Sequence, residues 1–132
     1  MEQESTNPSN VSKNPKQPIL ENLITNFSRE RFDYVFIEVN KLLSDYPTSF
    51  KLWNILGAVN TQMQKTLEAM QCYEKAIELR HDYAEAHNNL GNLFKNEGQH
   101  EKAIISYEKA LEIKPDLYDA NYNLGVIFQE RE

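Results

Sequence analysis

Residues 84–117 read AEAHNNLGNLFKNEGQHEKAIISYEKALEIKPDL, and residues 50–83 before them read FKLWNILGAVNTQMQKTLEAMQCYEKAIELRHDY. Aligned end to end, the two 34-residue blocks place Leu56-Gly57 over Leu90-Gly91, Ala69 over Ala103, Tyr73 over Tyr107 and Ala76 over Ala110. A further 34 positions on, Leu124-Gly125 takes the same place. A set of correlated positions at one fixed offset is an internal repeat, and a period of this length means that each unit is one small supersecondary element. Within a block, Trp53, Leu56 and Val59 lie three apart on one helical face. The polar break 61–66 (TQMQKT) interrupts that face, and Leu67, Met70, Tyr73, Ala76, Ile77 and Leu79 resume it. In the second block Gly98 marks the break, and Pro115 follows the last apolar residues Leu111 and Ile113, where a helix should stop. The unit is therefore helix, turn, helix. Gly57, Gly91, Ala69 and Ala103 sit in helix interiors, where glycine costs about 1 kcal/mol against alanine, a loss tolerated when two backbones must approach closely.

Outward from this pair of blocks the pattern weakens. Stepping back from Phe50 gives a degenerate unit over 19–49, with Phe32, Val35, Leu42 and Pro47 in matching places and Leu23 where glycine is expected. Stepping forward gives a half unit or capping helix over 118–132. Residues 1–18 are polar and broken by Pro8, Pro15 and Pro18, which predicts a flexible leader. No stretch alternates as a half-buried strand would, so the expected fold class is all-α. Twenty acidic residues against fourteen basic ones leave a formal charge of -6, which argues against nucleic acid as a partner. No apolar run is long enough for a membrane span, so no membrane is expected. The one cysteine, Cys72, forms no internal disulfide or thiolate metal site, and with no secretory signal in view a cytoplasmic location is expected.

The Trp53, Leu56-Gly57, Ala69, Tyr73, Ala76 set, and Leu90-Gly91, Phe94, Ala103, Tyr107, Ala110, Pro115 after it, resemble the tetratricopeptide repeat family. Departures are Asn60 where an aromatic is usual, His81 in the proline place and His87 in the tryptophan place. The resemblance implies an α-α superhelix, a solenoid of antiparallel helix pairs whose first helices line a concave groove that receives a partner's peptide. Carried over by repeat position, the groove residues are Lys51 and Asn54 in 50–83, Glu85, Asn88, Asn89, Asn92 and Asn96 in 84–117, and Asp119, Tyr122 and Asn123 in 118–132. Four asparagines in one helix are not explained by helix propensity, and an amide can give and take hydrogen bonds with any peptide backbone. Asn89 and Asn123 match the asparagine ladder of O-linked N-acetylglucosamine transferase repeats, while Ile55 interrupts it. The family's carboxylate clamp for chaperone tails is not expected: only Asn89 matches it, and Asp119 would repel a carboxylate.

No catalytic or metal residues are expected. All four glycines have structural places, His81, His87 and His100 never fall four apart, and Cys72 has no activating cations around it, so no cofactor is implied. The leading expectation is a protein-interaction scaffold that binds an extended peptide. A second is the N-terminal, substrate-selecting arm of a larger glycosyltransferase or sulfotransferase, with the chemistry outside residues 1–132. A third is self-association: the last helix presents Leu124, Ile127 and Phe128 with no following helix to cover them, which suits a homodimer.

Overall fold

A computed structural model describes residues 13–131, and among them all regular structure is α-helix. Residues 1–12 of the expected leader lie outside the described residues. Residues 13–18 correct the rest of that expectation. Asn14 Oδ1 accepts hydrogen bonds from the Ser49 hydroxyl and, at 3.4 Å, from Lys51 N–H, and Pro15 is buried. These contacts give the segment a place beside the start of α3, and the first helix begins at Gln17, with Pro18 in its first turn, where the missing N–H has no helical partner to lose.

The chain divides into two compact units, one ending at Arg80 and one beginning at His81. The first holds α1 (Gln17–Ser28), α2 (Phe32–Asp45), α3 (Phe50–Gln62) and α4 (Thr66–Leu79). The second holds α5 (Ala84–Asn96), α6 (His100–Ile113) and α7 (Tyr118–Glu130). Helices α3, α5 and α7 start 34 residues apart, and so do α2, α4 and α6, so the sequence period is the period of the helix pairs.

The turns repeat with the helices. Glu30, Gln64 and Gly98 have φ of 61°, 62° and 77°, each one residue past a helix C-cap. In each turn the following N–H reaches back five residues: Arg31 to Asn26, Lys65 to Asn60 and Gln99 to Phe94, at 2.8–3.0 Å. This is a left-handed helix stop of the Schellman type, which satisfies the last carbonyls of the helix. Gly98 enters that conformation without strain, whereas Glu30 and Gln64 carry a Cβ into it.

Packing in the first unit centres on Leu20, Leu23, Val35, Val39, Leu52, Leu56, Val59 and Cys72. Leu23, where a repeat glycine was expected, is almost fully buried, so α1 fills with a side chain the space that α3 gives to close approach. Phe27 and Phe32 meet edge to face at 5.2 Å across the first turn. Ser49 caps α3 by accepting Leu52 N–H at 3.1 Å, and Trp53 donates its indole N–H to the Pro47 carbonyl at 2.9 Å. In the second unit Ala103, Tyr107, Ala110, Ala120 and Ile127 are completely buried. There the Tyr107 ring lies directly on Gly91: a Cβ at that glycine would stand 2.8 Å from two ring carbons. Tyr73 occupies the same seat on Gly57 in the first unit. The interior glycines of the sequence thus mark where a tyrosine of the second helix presses on the backbone of the first.

Candidate functional site

The second unit joins α5 to α7 through side-chain amides. Asn123 Nδ2 donates to Asn92 Oδ1 at 2.9 Å, and Asn123 Oδ1 accepts from Lys95 Nζ at 3.1 Å. From beneath, the fully buried Tyr107 donates its hydroxyl to the same Asn92 oxygen. Burial pushes the Tyr107 phenol well above its ordinary range, so it stays a donor at any physiological pH. The result is a four-residue chain, Tyr107 to Asn92 to Asn123 to Lys95, whose three outer members are half-buried.

Helical geometry explains why these residues meet. Asn92 and Lys95 lie three apart on α5, hence on one face, and Asn123 lies on the α7 turn that faces them. Ala120 and Ile127, three before and four after Asn123, are both buried and dock α7 onto the unit. Among the described residues Asn92 Nδ2 has no hydrogen-bond acceptor and Asn123 Nδ2 has one, so the two Nδ2 hydrogens of Asn92 and the second of Asn123 are unspent. Three amide donors are therefore fixed on one partly open surface.

The expected groove residues divide into groups. Asn92 and Asn123 come together as described. Asn89 is half-buried on the same helix, and Asn96 is exposed. Glu85 pairs with Lys114 at 3.4 Å, which neutralises one end of the face. Asp119 is exposed, and Tyr122 is 73% exposed. Asn88 departs from the expectation of an open groove residue: it is 7% exposed, and its Oδ1 has no hydrogen-bond partner. Lys51 and Asn54 lie half-buried on α3, in the first unit, and form no part of the amide chain.

Ile127 is a correction. Expected to be uncovered for self-association, it has no exposed surface, because its side of α7 is the one that packs. Leu124 is half-buried and Phe128 is 48% exposed. Phe128, Tyr118 at 79% and Tyr122 make the outer surface of α7 aromatic. Gly125 lies on it too, and a Cβ there would meet nothing within 4 Å, in contrast to Gly57 and Gly91. Among the described residues no side chain seats on Gly125.

The shared Tyr73 and Tyr107 places in the sequence signal the ring but not that the Tyr107 hydroxyl fixes Asn92. Among the described residues no group of three or more histidine, cysteine or acidic side chains could hold a metal ion. No helix of the described residues is long and apolar enough to cross a membrane.

Comparison with known proteins agrees with the helical repeat fold. A tetratricopeptide repeat family model matches residues 84–117, and a second model of the same repeat matches 57–98. No curated protein sequence matches the chain. Among solved structures, that of MamA superposes with a TM-score of 0.77 at 27% identity, over 96% of this chain and 71% of that one. The first tetratricopeptide domain of Spaghetti (RPAP3), bound to the HSP90 peptide SRMEEVD, gives 0.79 at 21% identity, over 91% and 96%. The first such domain of human RPAP3 gives 0.78 at 22%, over 83% and 87%. The chain carries tetratricopeptide repeats and has their all-α helical repeat fold.

Proposed function

We propose that this tetratricopeptide-repeat chain is a protein-interaction scaffold that takes an extended segment of a partner protein against α5 and α7. The observation that carries the reading is the bridged pair Asn92 and Asn123, held from below by Tyr107 and from the side by Lys95. Amides fixed before binding lose little conformational freedom when a peptide arrives, and their donors can take peptide carbonyls whatever the side chains. Tyr118 and Tyr122, both largely exposed, add rings on which a partner's apolar side chains can lie.

Charge selects among segments. The RPAP3 domain that shares this fold holds the acidic HSP90 peptide SRMEEVD. In this chain Asp119 and the acidic balance of -6 oppose such a tail, so the expected ligand is a neutral or basic segment. A cytoplasmic setting fits a fold that keeps its one cysteine as a buried free thiol.

The test is fluorescence anisotropy with a labelled peptide selected from a display library on the intact chain. Asn89→Ala combined with Asn123→Ala is expected to weaken binding at least about tenfold, with the helical circular dichroism signal retained. Asn123 is chosen over Asn92 because its loss frees the half-exposed Lys95 and leaves Asn92 Oδ1 still held by Tyr107, whereas losing Asn92 would strand the buried Tyr107 hydroxyl. Unchanged affinity in the double variant would place the partner on another face.

A second reading is favoured by the outer surface of α7. Tyr118, Tyr122 and Phe128, all exposed, suit pairing of two copies through this helix, without Ile127.

A further inference from the structure

Lys95 is placed unlike the other basic side chains of its unit. Residues 81–132 hold ten acidic and five basic residues. Lys114 pairs with Glu85 at 3.4 Å, Lys109 with Glu112 at 3.0 Å and Arg131 with Glu101 at 2.8 Å, while Lys102 lies over the Phe94 ring. Lys95 is half-buried, and its ammonium is held by a neutral group, Asn123 Oδ1, with no carboxylate in ion-pair reach among the described residues. A partly desolvated charge without a counter-ion is costly, and a surface that keeps one is suited to an anion brought by a ligand.

The groups beside Lys95 are donors as well. Its ammonium has two hydrogens beyond the one given to Asn123, Asn123 Nδ2 has one beyond that given to Asn92, and among the described residues neither hydrogen of Asn92 Nδ2 has an acceptor. Asn92 Nδ2 is open to a ligand, for the buried side-chain nitrogen and oxygen atoms that lack a partner among the described residues are Asn60 Oδ1 and Asn88 Oδ1. The amide oxygens of Asn92 and Asn123 are already engaged by Tyr107, Asn123 and Lys95. What remains is a set of donors around one full positive charge. An ionised carboxylate is its complement, since it only accepts and its two oxygens can take the Lys95 ammonium and the Asn123 amide at once.

The rest of the unit limits how much negative charge is welcome. Asp119 is exposed one helical turn before Asn123 on α7, about 6 Å along the axis. Its charge and the excess of acidic residues oppose a doubly charged phosphate or a run of acidic side chains, and are compatible with one carboxylate.

Resting on the peptide surface of α5 and α7 argued above, we propose that the partner segment carries a single Asp or Glu side chain that pairs with Lys95 and the Asn123 amide, in a sequence otherwise neutral or basic. The asparagine donors take any backbone carbonyl and set no register; the ion pair at Lys95 fixes where the segment sits along the two helices.

The test uses peptides selected from a display library on the intact chain, then synthesised with an acetylated N-terminus and an amidated C-terminus, so that every carboxylate belongs to a side chain. The selected sequences are expected to share one acidic position. Replacing that residue by its amide, Glu by Gln or Asp by Asn, is expected to weaken binding to the parent about tenfold and binding to Lys95→Met less than about twofold, a coupling read by fluorescence anisotropy as a double-mutant cycle. The loss on the parent is read without altering the protein. Phosphoserine at the same place is expected to bind more weakly than the carboxylate. Selected peptides that shift the Asn92 and Asn123 amide signals but share no acidic position, or lose nothing on amide replacement, would overturn the carboxylate while leaving the peptide surface in place. Tighter binding of phosphoserine would do the same, as would equal losses on the parent and on Lys95→Met, which would assign the acid to another cation. Peptides that bind with those amide signals unmoved would overturn the surface and this ligand together.

Discussion

Gly91 and Gly125 occupy the same repeat position in the same unit, yet alanine should act in opposite directions at the two. At Gly91 the new Cβ would lie 2.8 Å from Tyr107 Cδ1 and Cε1, closer than carbon atoms pack. The ring cannot swing aside cheaply, because Tyr107 has no exposed surface and its hydroxyl is bonded to Asn92. Overpacking of this kind costs about 1–3 kcal/mol, against which the gain in helix propensity returns about 1 kcal/mol. At Gly125 a Cβ meets nothing within 4 Å, so only the propensity gain remains. Gly91→Ala should therefore be neutral to about 2 kcal/mol destabilising and Gly125→Ala stabilising by up to about 1 kcal/mol. Since the propensity gain is common to both, their difference isolates the clash at about 1–3 kcal/mol, or a gap in thermal midpoint of at least about 3 °C for a chain of this size. Thermal unfolding followed by circular dichroism reads both variants directly. Equal shifts in the same direction would mean that Tyr107 does not press on Gly91, and the helix packing described here would be wrong. Gly91→Ala should also weaken peptide binding more than its stability loss accounts for, since displacing the ring releases Asn92.

Three further outcomes are expected. Glu30→Gly and Gln64→Gly, made singly, should each stabilise by about 0.5–1 kcal/mol in urea unfolding, because both residues hold a left-handed φ that costs more with a Cβ than glycine loses in unfolded-state entropy. Stability should decline above about pH 9: burial raises the Cys72 thiol to about 11 and the Tyr73 phenol to about 12, and Tyr107 shifts the same way, so in this window the unfolded chain gives up protons that the folded chain keeps. Urea midpoints should fall as pH rises and Cys72→Ala should lose less over the lower part of the window; a flat profile would contradict the burial. If two copies pair through α7, Phe128→Asp should leave a monomer in sedimentation equilibrium, and an undiminished dimer would exclude this surface.

Much of the fold is legible in the sequence because the repeat signs itself several times over. Gly57 and Gly91 point to close approach, Tyr73 and Tyr107 supply the rings that exploit it, and Gly98 marks a turn whose geometry Glu30 and Gln64 share without showing it. Periodicity alone left Ile127 ambiguous. Val126, Ile127 and Phe128 are adjacent apolar residues, and only the docking of Ala120 and Ile127 decides which side of α7 turns inward. Asn14 could not be read as a partner of Ser49, because a contact between residues 35 apart in sequence depends on how the helices close. The candidate site was legible as a set of amides on repeat positions. That Asn92 and Asn123 are bonded to each other follows from the spacing of α5 and α7, which no local pattern encodes.

Peptide binding is tested most directly by the side-chain amide signals of ¹⁵N-labelled protein on addition of a display-selected peptide. The Asn89, Asn92 and Asn123 amide resonances should shift together and saturate at one affinity, while those of Asn22 and Asn40 on the first two helices stay in place. Saturation with the α5 and α7 amides unmoved would contradict a peptide surface on these two helices.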